Sequence, residues 1–282
     1  MNDFLIILSE KEKGKTSFAH LFKYKKLYKG KKVGHAGTLD KFATGLMIVL
    51  IGKATRLNQV FSNLDKSYRA KIKFGEETDT LDPDGKVIRK AELPSKETIL
   101  SVLPSFKGKI MQAPPEYSAV HIDGERAYKR VQKNEEVKMP EREVEVFDYR
   151  VLKIDDCYLD IIFHVSKGTY IRSLARDIGR ACGSCARLEE LNRLTIGPYS
   201  LSEKNLSTME ILEKTDLFSK VRLKTEYRKE IDNGYIISSY ILSDSAPEKK
   251  YKFLYFDSEL YAVAENTSGR LKIIFRLGYG SL

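Results

Sequence analysis

Asp40 closes the run Gly34-His35-Ala36-Gly37-Thr38-Leu39-Asp40, which is followed by Thr44-Gly45 and then by an unbroken apolar stretch, Leu46 to Ile51. Two glycines in four residues permit a tight backbone path. An acid beside a strand that enters the core can be held in a pocket, where a carboxylate does acid-base or nucleophilic work. The plainer reading of a single Asp in such a loop is a turn or helix cap. A second cluster, Lys167-Gly168-Thr169-Tyr170-Ile171-Arg172, lies where a strand gives way to a helix. If the backbone is extended there, Tyr170 and Arg172 point the same way and set an aromatic face beside a forked cation. Otherwise they decorate a helix start. The third cluster, Pro114-Pro115-Glu116-Tyr117-Ser118-Ala119 with Gly124, Tyr128 and Arg130 behind it, reads by itself as a rigid turn and a basic helix.

Other chemistries lack their residues. Thr78 to Gly85, TDTLDPDG, has the outline of a calcium loop but carries Thr80 at the first ligand position and Ala91 at the twelfth, so a turn at Pro83-Asp84-Gly85 is expected. Cys182 and Cys185 make a single CxxC at the end of a helical stretch, not at its start where a thiol is activated, and packing is the expectation for both. No second pair completes a zinc site. The histidines at 20, 35, 121 and 164 have no metal-ligand spacing, and no phosphate-cradling, dinucleotide-binding or serine-elbow motif occurs.

The elements that must position these residues follow from periodicity. Phe4 to Leu8 reads as a strand. Thr16 or Ser17 can cap a helix with Phe18, Leu21, Phe22 and Tyr28 on its apolar side, ended by Gly30. Leu46 to Ile51, flanked by Gly45 and Gly52, has the pattern of a strand buried on both faces, and a helical stretch carries Leu57, Val60, Phe61 and Leu64. From Tyr68 to Phe74 apolar and basic residues alternate strictly, predicting a half-buried antiparallel strand. Ser95 can cap a short helix ending near Leu103; Val144 to Val146 and Leu159 to Val165 read as strands; Ile171, Leu174, Ala175 and Ile178 have helical spacing; and Ser207 with Glu210 fits a capping box. Past residue 218 short strands follow, with a turn at Asp257-Ser258. Without regular strand-helix alternation, the expected class is α+β, a largely antiparallel mixed sheet flanked by helices with a small β-rich module at 219–282.

The chain has 282 residues, 42% of them hydrophobic, enough for a substantial core. Forty-nine Lys and Arg against thirty-nine Asp and Glu give a net charge of +10, and the excess is clustered: from Lys11 to Lys32 there are nine lysines and one acid, Glu12. Such a field attracts phosphates, although a solvated helix face gives the same pattern. The first apolar run is too short for a signal peptide and no stretch has the length of a membrane span, so a cytoplasmic protein is expected. Three cysteines do not make a disulfide framework.

Taken together, GHAGTLD, PPEYSAVHIDGERAY and KGTYIRSLARDIG resemble, in order and spacing, the motifs of the bacterial tRNA pseudouridine-55 synthases, the TruB family. Ser67-Tyr68-Arg69, the Thr78-Asp79-Thr80 stretch and its Asp84-Gly85 turn belong to the same resemblance. It implies a pseudouridine synthase fold over 1–218 with an RNA-gripping insertion at about 120–142, and a PUA-like end at 219–282. It implies Asp40 as the catalytic carboxylate, Arg172 as its ion-pair partner and Tyr68 as the ring stacked on uracil. His35, Tyr170, Leu191 and Lys11 are implied in substrate binding, and Lys25, Lys26, Lys29, Tyr128 and Arg130 on the RNA backbone. The implied substrate is the T arm of tRNA; no cofactor, metal, membrane or protein partner is called for, and a monomer is expected. Attack on C1′, attack on C6 and removal of a sugar proton are all open to Asp40. The chain departs from the family in having Glu10-Lys11-Glu12-Lys13-Gly14 where a proline usually follows the lysine, and Asn192 where an arginine is usual. Another RNA as substrate, or a tRNA-folding chaperone, are the alternative functions.

Overall fold

The computed structural model describes residues 4–118, 121–122, 125–126, 130, 139–232, 249–257, 259–267 and 270–277. In chain order the strands are β1 (Phe4–Lys11), β2 (Val33–His35), β3 (Thr44–Gly52), β4 (Lys66–Phe74), β5 (Glu76–Thr78), β6 (Val87–Lys90), β7 (Gly108–Gln112), β8 (His121–Ile122), β9 (Glu125–Arg126), β10 (Arg142–Asp155), β11 (Tyr158–Val165), β12 (Ala186–Ile196), β13 (Tyr199–Ser200), β14 (Phe218–Leu223), β15 (Tyr251–Phe256), β16 (Glu259–Thr267) and β17 (Arg270–Arg276). The main sheet runs β1-β3-β12-β4-β11-β10-β7, with β2 on β3 and β13 on β12. Its pairings are antiparallel except β12 on β3, a parallel pairing at Asn192↔Thr44 and Arg193↔Gly45.

β3 is buried on both faces because two cores meet across it. Met47, Val49 and Ile51 enter one core with Tyr68, Ala70, Ile72 and the helix Ile171–Ala181. Leu46, Ile48 and Leu50 enter the other with Phe4, Ile6 and Leu8. Each such side chain contributes roughly 1.5 to 3 kcal/mol by leaving water. The second core continues into the sheet β14-β15-β16-β17 through Phe218, Phe253 and Phe275, whose ring lies 4.9 Å from that of Phe4. The mixed α+β class and the β-rich C-terminal sheet are therefore as the periodicity predicts. Ser95 and Ser207 cap their helices, and the Ser207-Glu210 box is formed. Asp257 takes a positive φ of 51° in the turn between β15 and β16. Among the described residues no helix is long and apolar enough to cross a membrane.

The first helical segment corrects one expectation. Thr16 accepts a hydrogen bond from the Ala19 amide and caps Ser17–His20, and Leu21, still helical in φ and ψ, leads into Phe22–Leu27. Leu21, Tyr24 and Tyr28 pack on the core, but Phe18 and Phe22 are 67% and 66% exposed. The core takes the stripe 17, 20, 21, 24 and 28; the stripe 18 and 22, four residues apart on the neighbouring face, is left in water.

Candidate active site

The loop carrying Asp40 is fixed at nearly every residue around it. β2 pairs with β3, and the Ala36 amide donates to the Ile48 carbonyl at 3.0 Å. The backbone then leaves the sheet at Gly37, φ 92°. The Arg193 side chain, fully buried from β12, donates from Nε to the Leu46 carbonyl (2.7 Å), from Nη2 to Gly37 (3.2 Å) and from Nη1 to Thr38 (3.4 Å). Ser17 Oγ donates to the Leu39 carbonyl and accepts from the Leu39 amide, both at 2.9 Å. On the far side of Asp40, the Lys41 carbonyl accepts from the Gly14 amide (2.8 Å) and from Lys11 Nζ (3.4 Å). Lys11 also donates to the carbonyls of Lys15 (2.7 Å) and Glu12 (3.0 Å). Burial pushes its ammonium down to about 8, opposed by the Asp40 charge. A Cβ at Gly45, φ 114°, would overlap the backbone of Arg193, so glycine lets β3 and β12 approach.

Arg172 meets this loop from the first turn of the helix Ile171–Ala181. Tyr170 is the extended residue before that helix, held by the Gln112 side-chain amide, which donates to its carbonyl (3.2 Å) and accepts from its N–H (2.8 Å). The backbone is thus extended at Tyr170 but helical from Ile171, and the alternation considered from the sequence does not apply. Arg172 Nη2 donates to Asp40 Oδ1 at 3.0 Å, and Nε lies 3.0 Å from Oδ2 with its N–H out of line, so the second contact is one of charge. Nη2 also donates to the Tyr117 carbonyl (3.1 Å), and Nη1 to the Thr80 carbonyl (2.8 Å) and to Asp82 Oδ2 (3.4 Å). The guanidinium is thereby shared between two carboxylates and two carbonyls.

Asp82 was not singled out in the sequence. The turn at residues 82–85 forms, and Leu81, just before it, takes a positive φ of 62°. This kink delivers the Asp82 carboxyl to the interior, where it accepts from Thr80 Oγ1 (2.6 Å) and the Asp84 amide (3.1 Å). Burial raises its carboxyl above the usual range, against the pull of Thr80 and Arg172. Arg193 was missed as well.

A cleft of about 490 Å³ opens over these groups, and Asp40, Tyr68, Tyr170, Arg172 and Leu191 all line it. So do Lys66, Ser118 and Arg142. Arg142 holds Tyr170, its guanidinium 4.9 Å from the ring and its Nη2 on the Gly168 carbonyl. Lys66 donates to the carbonyls of Ser62 (2.6 Å) and Leu64, and burial pushes it down to about 8. His35 and Lys11 are not among the lining residues. Burial, with the Arg193 charge, lowers the His35 imidazole below its ordinary value. Lys25 and Lys26 lie on Phe22–Leu27 with Lys29 just beyond, Arg130 is half-buried, and Tyr128 lies outside the described residues, as does most of the 120–142 insertion. Burial raises the thiols of Cys182 and Cys185, consistent with packing. No group of three or more His, Cys, Asp or Glu gathers among the described residues to hold a metal.

What this arrangement offers is one exposed-edge carboxylate, pinned by a buried arginine, beneath a cleft with two tyrosine rings. The fold is shared with chains of solved complexes that contain Cbf5. The chain matches one chain of a Cbf5-Nop10-Gar1 complex with a TM-score of 0.70 at 23% identity, covering 97% of this chain and 85% of that one. It matches one of an archaeal box H/ACA Nop10-Cbf5 complex with a TM-score of 0.64 at 20%, covering 93% and 79%. The profile of the TruB family pseudouridylate synthase N-terminal domain matches residues 25–171, and that of the tRNA pseudouridylate synthase B C-terminal domain matches 172–232. Proteins named tRNA pseudouridine synthase B are similar over most of their length. That of Borreliella burgdorferi is 44% identical, covering 83% of each chain, that of Treponema denticola 38%, covering 91% of this chain and 81% of its own, and that of Acholeplasma laidlawii 37%, covering 96% and 99%. The chain belongs to the TruB family of pseudouridylate synthases.

Proposed function

We propose that the protein isomerises uridine 55 in the T loop of tRNA to pseudouridine, with Asp40 as the catalytic carboxylate. The observation that supports this reading most is the Asp40–Arg172 pair, with side chains 32% and 6% exposed, on the floor of a cleft walled by Tyr68 and Tyr170. In the reaction the N1–C1′ bond breaks, the base turns, a C5–C1′ bond forms, and the proton leaving C5 is balanced by one gained at N1. No redox equivalent enters. The chain's part is to present a charged carboxylate to the nucleoside, to hold the detached base, and to take the uridine out of its stack. Arg172 orients Asp40, its planar fork lying against both carboxylate oxygens. Tyr68, 8% exposed and on the cleft face of β4, supplies a ring for the uracil to stack on, and Tyr170 and Leu191 wall the site. His35 takes the extruded uridine's place in the stack, and Lys11 holds the loop from behind.

In this reading the lysines at 25, 26 and 29, with Tyr128 and Arg130, grip phosphates of the T arm. Residues 1–218 carry the chemistry, 219–282 add an RNA-facing module, and the protein acts as a cytoplasmic monomer. The test is to incubate the purified protein with unmodified tRNA in a chelator and map pseudouridine nucleotide by nucleotide. Formation at the T-loop uridine is expected; modification elsewhere, or none, overturns the assignment.

A further inference from the structure

Phe18 and Phe22 present two aromatic rings to water on a surface otherwise built of lysines, and the core does not use them. Lys25 Nζ sits 3.8 Å above the Phe18 ring, and Lys23, Lys26 and Lys29 follow Phe22 in sequence. The single acid of the region, Glu12, is engaged by Lys15 at 2.6 Å. Exposed aromatic rings among lysines that far outnumber the nearby acids suit one class of occupant better than a protein core or a neutral surface: a base stacks on the ring while its phosphates meet the ammoniums. The segment is also rigidly tied to the reaction loop. Ser17 holds Leu39 through both its amide and carbonyl, and Leu21 packs with Leu39 and Phe42 in one core.

We propose that Phe18 and Phe22 form a stacking platform for an unpaired base of the RNA substrate other than the uridine in the cleft, with Lys23, Lys25, Lys26 and Lys29 on the adjoining phosphates. This rests on the RNA substrate proposed above and adds a second, sequence-tolerant contact outside the cleft. Stacking on a protein ring releases no counterions, whereas each ammonium on a phosphate does. The two components therefore separate in their salt dependence.

The test is binding of an unmodified tRNA transcript by the full chain, from low to moderate salt, for the parent, for Phe18→Ala with Phe22→Ala, and for Lys25→Gln with Lys26→Gln and Lys29→Gln. The phenylalanine variant is expected to lose affinity by roughly tenfold or more at every salt concentration, with the parent's slope of log K against log salt. The lysine variant flattens that slope. A 2-aminopurine placed at successive unpaired positions is quenched by the parent at one position beyond the target uridine, and that quenching vanishes in the phenylalanine variant. Thermal melts check the fold, and both phenylalanines are exposed enough for alanine to leave it intact. Parent-like affinity and quenching in the phenylalanine variant overturn the platform, as does a loss confined to low salt. If the rings instead mediate self-association or adsorption to vesicles, the parent sediments with itself or with lipid, the variant does not, and RNA binding is unmoved. A parent that fails to bind tRNA overturns the functional reading and the platform together.

Discussion

Two Asp–Arg pairs stand on opposite faces of one sheet, and the better-formed one is the more exposed. On the outer face Arg69 donates from Nε to Asp160 Oδ1 (3.0 Å) and from Nη2 to Oδ2 (2.6 Å), a well-aligned fork between neighbouring strands. On the cleft face Arg172 makes a single aligned bond to Asp40. Yet Arg69 is 56% exposed, where water and salt screen the pair, while Arg172 is nearly sealed and its remaining donors go to Asp82, Thr80 and Tyr117. Burial and the company a charge keeps decide what a pair does.

The largest effect that would break or sharpen this contrast is Asp40→Asn, which keeps shape and removes charge. Single-turnover conversion should fall at least about ten-thousandfold with tRNA binding within about tenfold, roughly 1.4 kcal/mol. Conversion near the parent's rate would remove Asp40 from the chemistry. Next is Arg172→Lys, which retains charge but not the planar fork that reaches four acceptors; turnover should drop at least about a hundredfold, roughly 2.7 kcal/mol, with affinity little changed. A silent Arg172→Lys would put the cleft pair in the same class as the outer one. Gly45→Ala tests the backing of the loop: the added methyl meets the Arg193 backbone at a φ suited to glycine, and stability should fall by about 3 kcal/mol in urea unfolding, with turnover.

Sensitivity to pH should also divide by face. His20, buried with Nε2 on Ser9 Oγ at 2.8 Å, titrates at about 4 when folded against 6.5 as its ordinary value, because burial disfavours the cation. Between those values the unfolded chain binds the extra proton, so stability rises with pH from about 4 to 6.5 and is lost on acidification through the same window. Chemical denaturation across this range should show a shallower dependence in His20→Gln. Smallest of all, Asp160→Asn on the outer face should leave turnover unchanged and the melting temperature within about two degrees. A large loss there would mean that exposure is a poor guide to the weight of a pair in this sheet.

Asp40, Tyr68, Tyr170 and Arg172 were legible in the sequence because they sit in compact motifs, Leu191 only through the family resemblance, and the structure gathers all five at one cleft. Arg193 was not legible, for a physical reason. A strand pattern is read by alternation, and β12 carries two irregularities, between Leu188 and Glu190 and between Arg193 and Thr195. Each shifts the phase by one residue, so a charge that reads as outward-facing lands inside. Asp82 escaped because a Pro-Asp-Gly turn is expected at the surface, and only the positive φ at Leu81 carries the carboxyl inward. The first helix erred in the other direction. Apolar residues at 18, 21, 22 and 28 suggest one broad stripe, but the sheet accepts only the half that includes Leu21, Tyr24 and Tyr28.

The bonds from Arg193 to Gly37, Thr38 and Leu46 span 156, 155 and 147 residues, and that from Arg172 to Asp40 spans 132. Contacts so distant along the chain are costly to close and form after local ones. During synthesis the N-terminal half can pair β1 with β3, but the loop with Asp40 lacks these anchors until residues 172 and 193 have left the ribosome. A nascent or truncated chain that ends before them thus carries Asp40 without the two arginines that hold it and its loop.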